Sequence, residues 1–313
     1  MANSDMHAIC SQLLTPDDLA VSNELFEEVL KEDIVSKILD GKDTKYVKIF
    51  STKKLFLSHI TPLLHNIGFE IIDEVTYNIS HKNKEIYISR FNLNVTDTSK
   101  LEEAKDNLEF IIANSLKDSN IKHSKAFSLV YKQNLSIRKI KLLRAFIEYI
   151  DQAVLTINSA TILNTLTKHD KLACMFVKYF IAKFDPEAKD RKKQLSEIEE
   201  KIKDEIKAIP QIIDDKVLNI TFMFLKSLLR TNYFLNKKTI ALKIDTKTFG
   251  KDLRGLQPNF ENFIYHQDFY GVHLRMSKVS RGGLRWSDRH DDYRQEVKSL
   301  MITQEGKNSI IIP

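Results

Sequence analysis

The stretch GFEIIDEVTYNISHKNKEIYISRFNLNV (residues 68–95) decides the first fold assignment. Gly68 closes an amphipathic run, because a helix ends readily at a residue free to take positive φ. That run, Thr52–Asn66, places Leu55, Ile60, Leu63 and Leu64 at helical spacing. Phe69–Ile79 is strand-like and the polar Ser80–Lys84 supplies a hairpin turn. Glu85–Val95 then carries Ile86 and Ile88, followed by Phe91, Leu93 and Val95. Upstream, Tyr46–Phe50 reads as a short strand. Downstream, Ser99 and Glu102 have capping-box spacing ahead of a helix with the stripe Leu101, Ala104, Leu108, Ile111 and Ile112. The order β-α-β-β-α is the ferredoxin-like plan.

On either side of this unit the periodicity changes. Residues 1–45 read as a lead-in with one helix, Asn23–Leu39, that has no upstream partner. Residues 121–237 read as helical: Ile137, Ile140, Leu143, Ile147 and Ile150 repeat at helix spacing, as do Leu172, Phe176, Tyr179 and Phe180. Asp185–Pro186 and Pro210 interrupt that run. Met175, Phe222, Met223 and Phe224 there fit a bundle core. From residue 238 the period returns to two, with Ile240, Leu242 and Ile244 alternating with polar neighbours. Phe263–His266 and Val272–Met276 follow as strands, then a helix over Arg289–Gln304 with Tyr293, Val297, Leu300 and Met301 on one face, and a final strand at Ser309–Ile312. The chain has 8 glycines, of which only Gly41 and Gly68 precede position 250. Tight loops need glycine and helix interiors avoid it, so the C-terminal part has a different character. The expected fold is α+β: a ferredoxin-like βαββα unit over 46–120, a helical bundle over 121–237, and the start of an α/β substrate-binding domain over 238–313.

Composition narrows the function classes. At 313 residues and 42% hydrophobic content the chain can bury more than one core. No apolar run is long enough to span a bilayer, and Met1–His7 lacks a signal-peptide pattern. Cys10 and Cys174 have no metal-ligand spacing and fit a reducing cytoplasm. The net charge is +6, but the lysines are interspersed with acids, as in Lys192–Lys207. That is a solvated helix face, so neither nucleic acid nor membrane is expected as a partner.

The chemistry-bearing run is Arg281-Gly282-Gly283-Leu284-Arg285-Trp286-Ser287-Asp288-Arg289. Paired glycines allow close approach of backbone to a ligand. Arg281 and Arg285, four apart, share a side in extended chain, and two guanidinium forks suit carboxylates. Ser287 or Asp288 can cap the next helix. Gln304 and Lys307 share a face if that helix persists to its last turn. Each feature also has a plain structural reading: Arg beside Gly is often a surface loop, and Lys after a helix often answers its dipole. Asp291, Asp292 and Arg294 read as a charged helix face, and Lys298 as a solvated lysine.

Taken together, Gly271-Val272-His273-Leu274-Arg275, the run Lys278–Arg289, Asp292–Val297, Gln304–Asn308 and Ile311-Ile312-Pro313 resemble the large NAD-specific glutamate dehydrogenases of bacteria. Leu229–Phe234, Leu142–Phe146, Phe184-Asp185-Pro186 and Gly68–Glu74 are similar to that family's earlier segments, the last of them its ACT-like part. The resemblance implies part of an enzyme that converts L-glutamate, NAD and water to 2-oxoglutarate, ammonia and NADH. Its substrate-binding residues would be Arg281, Gly282, Gly283, Arg285, Gln304 and Lys307, with Arg281 standing where smaller relatives carry lysine. It further implies that the catalytic lysine, the proton-shuttling aspartate and the NAD-binding domain lie beyond Pro313, so no G-x-G-x-x-G is expected here and this chain by itself is expected to be inactive. The implied partners are the remaining segments of the same enzyme and further copies in a homo-oligomer. The alternative is a non-enzymatic module that senses an amino acid or serves as scaffold.

Overall fold

The computed structural model describes residues 25–41, 44–95, 97–117, 124–154, 156–249, 257–275, 286–289 and 292–307, with side chains through Gln304. The chain divides into two compact units between Asn134 and Leu135.

The first unit contains α1 (residues 25–32), β1 (Ile34–Asp40), β2 (Lys45–Ser51), α2 (Leu57–Ile67), β3 (Glu70–His81), β4 (Lys84–Asn94), α3 (Thr98–Lys117) and α4 (Ser128–Gln133). The expected β-α-β-β-α run is present as β2-α2-β3-β4-α3. Its sheet is antiparallel throughout, in the order β1-β2-β4-β3. Lys82 (φ 50°) and Asn83 (φ 61°) turn the β3–β4 hairpin. Two successive positive φ values match the right-handed twist of the flanking strands. Gly68 takes φ 101°, its N–H donating to the His65 carbonyl at 2.9 Å and that of Phe69 to the Leu64 carbonyl at 3.0 Å, which closes α2.

Two sequence expectations change here. The lead-in Asn23–Leu39 is not one helix: α1 stops at Asp33, whose φ of 66° breaks the run, and Ile34–Asp40 becomes an edge strand beside β2. Ile34, Val35 and Ile38 are β-branched and suit a pleated surface. The helix is seated by residues that follow it in the chain. Leu25, Phe26 and Val29 pack against Val35, Phe50, Ile86 and Ile88. The cap of α3 is also different. The Lys100 N–H donates to the Asp97 carboxylate at 3.1 Å, so the aspartate two residues before Ser99 opens the helix.

The second unit has α5 (Ile137–Ala153), α6 (Ser159–Lys168), α7 (Asp170–Phe184), α8 (Arg191–Lys207), α9 (Ile212–Ser227), β5 (Leu228–Thr231), β6 (Ile240–Ile244), α10 (Thr246–Phe249), β7 (Phe260–Tyr265), β8 (Tyr270–Arg275) and α11 (Tyr293–Lys307). Its sheet is antiparallel, in the order β5-β6-β7-β8. The helical run ends at Ser227, short of the expected boundary at 237. Leu228 pairs with Ile244 and Thr231 with Leu242, so a later strand draws this segment into the sheet. An aromatic core ties helices to sheet: the Tyr149 ring lies 4.9 Å from Phe224 and 5.4 Å from Phe263, and Phe146 lies 5.5 Å from Phe180. Phe222 and Phe224 are buried, as a bundle core requires. The expected strand Ser309–Ile312 lies outside the described residues.

Candidate functional site

α11 is the element on which the sequence places two of its candidate ligand-binding residues. It starts at Tyr293, later than expected, with the Glu296 N–H donating to the Asp292 carbonyl at 2.9 Å. Ser287 is not its cap. The Ser287 Oγ accepts from the Arg289 N–H at 3.1 Å and so shapes the turn ahead of the helix. In the same lead-in, Trp286 is 88% exposed, its indole N–H reaching Asp288 at 3.3 Å. Arg289 and Asp292, three residues apart ahead of the helix, form an exposed ion pair, worth little by itself.

The buried face of α11 overturns the charged-surface reading. Arg294 is fully buried. Its Nε donates to Glu261 Oε1 at 2.8 Å and its Nη2 to Glu261 Oε2 at 2.7 Å, a bidentate fork. Glu261 is itself fully buried on β7. The Tyr149 hydroxyl, from α5, donates to Glu261 Oε2 at 3.2 Å, and the Gln152 side-chain oxygen accepts from the Arg294 N–H at 3.4 Å. Three elements therefore meet at one carboxylate. Burial works against the Arg294 charge, but the hydrogen bonds and charge of Glu261 outweigh it and hold the guanidinium above its ordinary range. Burial, with Glu261 adding to it, pushes the Tyr149 phenol well above its usual value. The remaining nitrogen, Arg294 Nη1, has no hydrogen-bond partner among the described residues. One turn on, Lys298 is 5% exposed, not solvated. Burial, then repulsion by Arg294, lowers its amine, against the pull of Glu261. Tyr293, Val297, Leu300 and Met301, the expected apolar face, are only half-buried.

The alternation of β7 carries the signal for this network. Glu261 shares a face with the buried Phe263 and Tyr265. A carboxylate on an apolar face demands a cation, and Arg294 is the one that arrives. The strand had been expected to start at Phe263, which left Glu261 outside it.

Of the sequence-predicted site residues, Arg281, Gly282, Gly283 and Arg285 lie outside the described residues. Gln304 is exposed near the end of α11, and Lys307 is the helix's last residue. The helix does persist through its last turn, which was the condition for those two positions to neighbour each other. Two other perturbed groups belong to helix ends. Lys183 Nζ donates to the carbonyls of Leu225 and Lys226 at 3.0 and 2.8 Å, closing α9, and burial, with Lys226 adding repulsion, brings its amine down to about 8. Asp214, in the first turn of α9, has Lys168 at 2.6 Å, His169 at 3.0 Å and Thr165 at 3.1 Å, and these hydrogen bonds hold its carboxyl down at about 2. Among the described residues no group of three or more His, Cys, Asp or Glu is placed to hold a metal ion, and no helix is long and apolar enough to cross a membrane.

A ferredoxin-like unit, a helical segment and an antiparallel sheet that clamps the helix of the candidate site define a multidomain α+β protein. The family profile "Glutamate dehydrogenase, ACT3 domain" matches residues 35–105 and "Glutamate dehydrogenase, helical motif 3" matches 127–186. "Bacterial NAD-glutamate dehydrogenase, catalytic domain" matches 201–313. The NAD-specific glutamate dehydrogenase of Halomonas elongata is 31% identical over 267 residues, 82% of this chain and 16% of that protein. That of Pseudomonas aeruginosa is 30% identical, over 88% of this chain and 18% of that protein, and that of Mycobacterium tuberculosis 27%, over 96% and 20%. The chain belongs to the bacterial NAD-specific glutamate dehydrogenase family, and it spans 16–20% of the length of these curated relatives.

Proposed function

We propose that this chain is part of an enzyme that oxidises L-glutamate with NAD to 2-oxoglutarate and ammonia, and that its share of the work is to hold the substrate carboxylates. The observation that carries the reading is the coincidence of the catalytic-domain match over residues 201–313 with a continuous α11 that brings Gln304 and Lys307 into neighbouring positions. On this reading Arg281 and Arg285 supply guanidinium forks, Gly282 and Gly283 let backbone approach the ligand, and Gln304 and Lys307 donate to carboxylate oxygens. NAD, when bound to the enzyme, accepts the hydride. None of the residues in this chain carries a dinucleotide fingerprint, so no contact to NAD is assigned to them. Residues 46–120 are then the ACT-like part, 121–237 the helical part and 238–313 the first stretch of the catalytic part, in a cytoplasmic homo-oligomer.

The test is glutamate-dependent NADH formation by the enzyme that carries this chain. Losing one hydrogen bond to a charged group costs about 1.5–3 kcal/mol, or about 10- to 100-fold in affinity. Lys307→Ala should therefore raise the KM for glutamate at least tenfold and leave the KM for NAD within about twofold. Absence of glutamate-dependent turnover in the wild type, or a variant that affects NAD more than glutamate, overturns the reading.

A further inference from the structure

We propose that Arg294 is a positioning residue for glutamate: its fork on Glu261, steadied by Tyr149 and Gln152, fixes the axis of α11 and with it the place of Gln304. The inference rests on the function proposed above. Its starting point is an oddity of packing. α11 is docked by charge: among its described residues the two buried ones are Arg294 and Lys298, and the apolar residues expected to seat it are half-exposed. A purely hydrophobic seat tolerates sliding and rotation, because it is non-directional. Two parallel N–H···O bonds at 2.8 and 2.7 Å do not, because their strength depends on the relative orientation of two planar groups.

The clamp sits at the start of the helix and the candidate ligand contacts at its end. Ten residues separate Arg294 from Gln304, about 15 Å at helical rise. A tilt of about 6° at the clamp would displace Gln304 by about 1.5 Å over that lever. A misplacement of about 1 Å in a binding group can cost about 100-fold. Gln304 also lies about 80° around the helix from Arg294, so the clamped face and the ligand-facing position are different sides of one rod. The anchor comes from two parts of the chain. Glu261 and Arg294 lie within residues 201–313, matched by the catalytic-domain profile, whereas Tyr149 and Gln152 lie within 127–186, matched by the helical-motif profile. The helical part thus contributes to substrate binding without touching substrate.

The experiment uses the enzyme that carries this chain, with Arg294→Lys, Tyr149→Phe and the double variant Arg294→Met/Glu261→Met. Lysine keeps the charge and loses the fork. The double variant removes both charges, so that a lost fold through one unpaired buried group is avoided. The expected result is a KM for glutamate raised about tenfold or more in Arg294→Lys and in the double variant, and about threefold in Tyr149→Phe, with the KM for NAD within about twofold and the melting temperature of the double variant near that of the wild type. A pair serving only stability predicts the opposite split, in which the double variant regains both fold and wild-type KM. A wild-type KM for glutamate in any folded fork-less variant overturns this inference alone. A wild type that oxidises no glutamate overturns the function proposed above.

Discussion

Replacing Arg294 by methionine should be among the most damaging single changes in the second unit, and pairing it with Glu261→Met should undo most of the damage. Methionine is close to arginine in length and leaves no large void, so the cost comes from electrostatics. Arg294→Met removes two charge-assisted hydrogen bonds and leaves the Glu261 carboxylate, fully buried, with the neutral Tyr149 hydroxyl donating to it in place of a cation's fork. Stranding one member of a buried ion pair costs about 3–5 kcal/mol. Domain stability is about 5–15 kcal/mol, so the variant sits near the edge of unfolding. In the double variant both desolvation costs vanish, and such replacements come out about neutral or stabilising by about 1–4 kcal/mol. The Tyr149 hydroxyl then loses its acceptor, at about 1–3 kcal/mol, so Tyr149→Phe on top should recover a further increment. Native-state hydrogen exchange read on peptides from α5 and β7 measures this locally. Amides there should exchange about 10²- to 10⁴-fold faster in Arg294→Met and return to within about tenfold of wild type in the double variant. A single variant within about 1 kcal/mol of wild type, or a double variant no better than the single, would refute the claim that the pair is a buried, mutually dependent unit.

Two further outcomes follow from other sites. The Asp214 carboxyl is held down at about 2 by its hydrogen bonds to Lys168, His169 and Thr165. A depressed folded value stabilises the protein above the unfolded value near 3.9, and that contribution is lost as pH falls through about 2. Asp214→Asn should therefore flatten the acid limb of a stability-against-pH curve between about pH 4 and 2, and an unchanged limb would count against the cluster. Gly68→Ala should destabilise the first unit by about 1–2 kcal/mol in urea titration, because an L side chain dislikes positive φ. The added Cβ meets Ser128 at 3.9 Å and Tyr131 at 4.0 Å, ordinary contact, so a much larger loss would mean that sterics and not φ dominate.

The sequence by itself determined the elements whose signal is local. The β-α-β-β-α run, the hairpin turn within Ser80–Lys84, the cap at Gly68 and the alternation of Ile240, Leu242 and Ile244 all rest on neighbours within a few residues, and the structure has them. The motif run that marks the family was legible because residue types at fixed spacing need no fold to be read. Long-range pairing was not legible. Ile34–Asp40 is a strand because β2 offers it a ladder, and Leu228–Thr231 leaves the helical run because β6 does. The largest reversal is Arg294. In the sequence it stands among Asp292, Gln295 and Glu296 and looks like any solvated face. Only the tertiary structure brings Glu261 of β7, 33 residues away, and Tyr149 of α5 against it. An isolated charge is costly to bury and a paired one is tolerated, so the burial of Arg294 depends on where its partner lands, and local sequence carries no record of that.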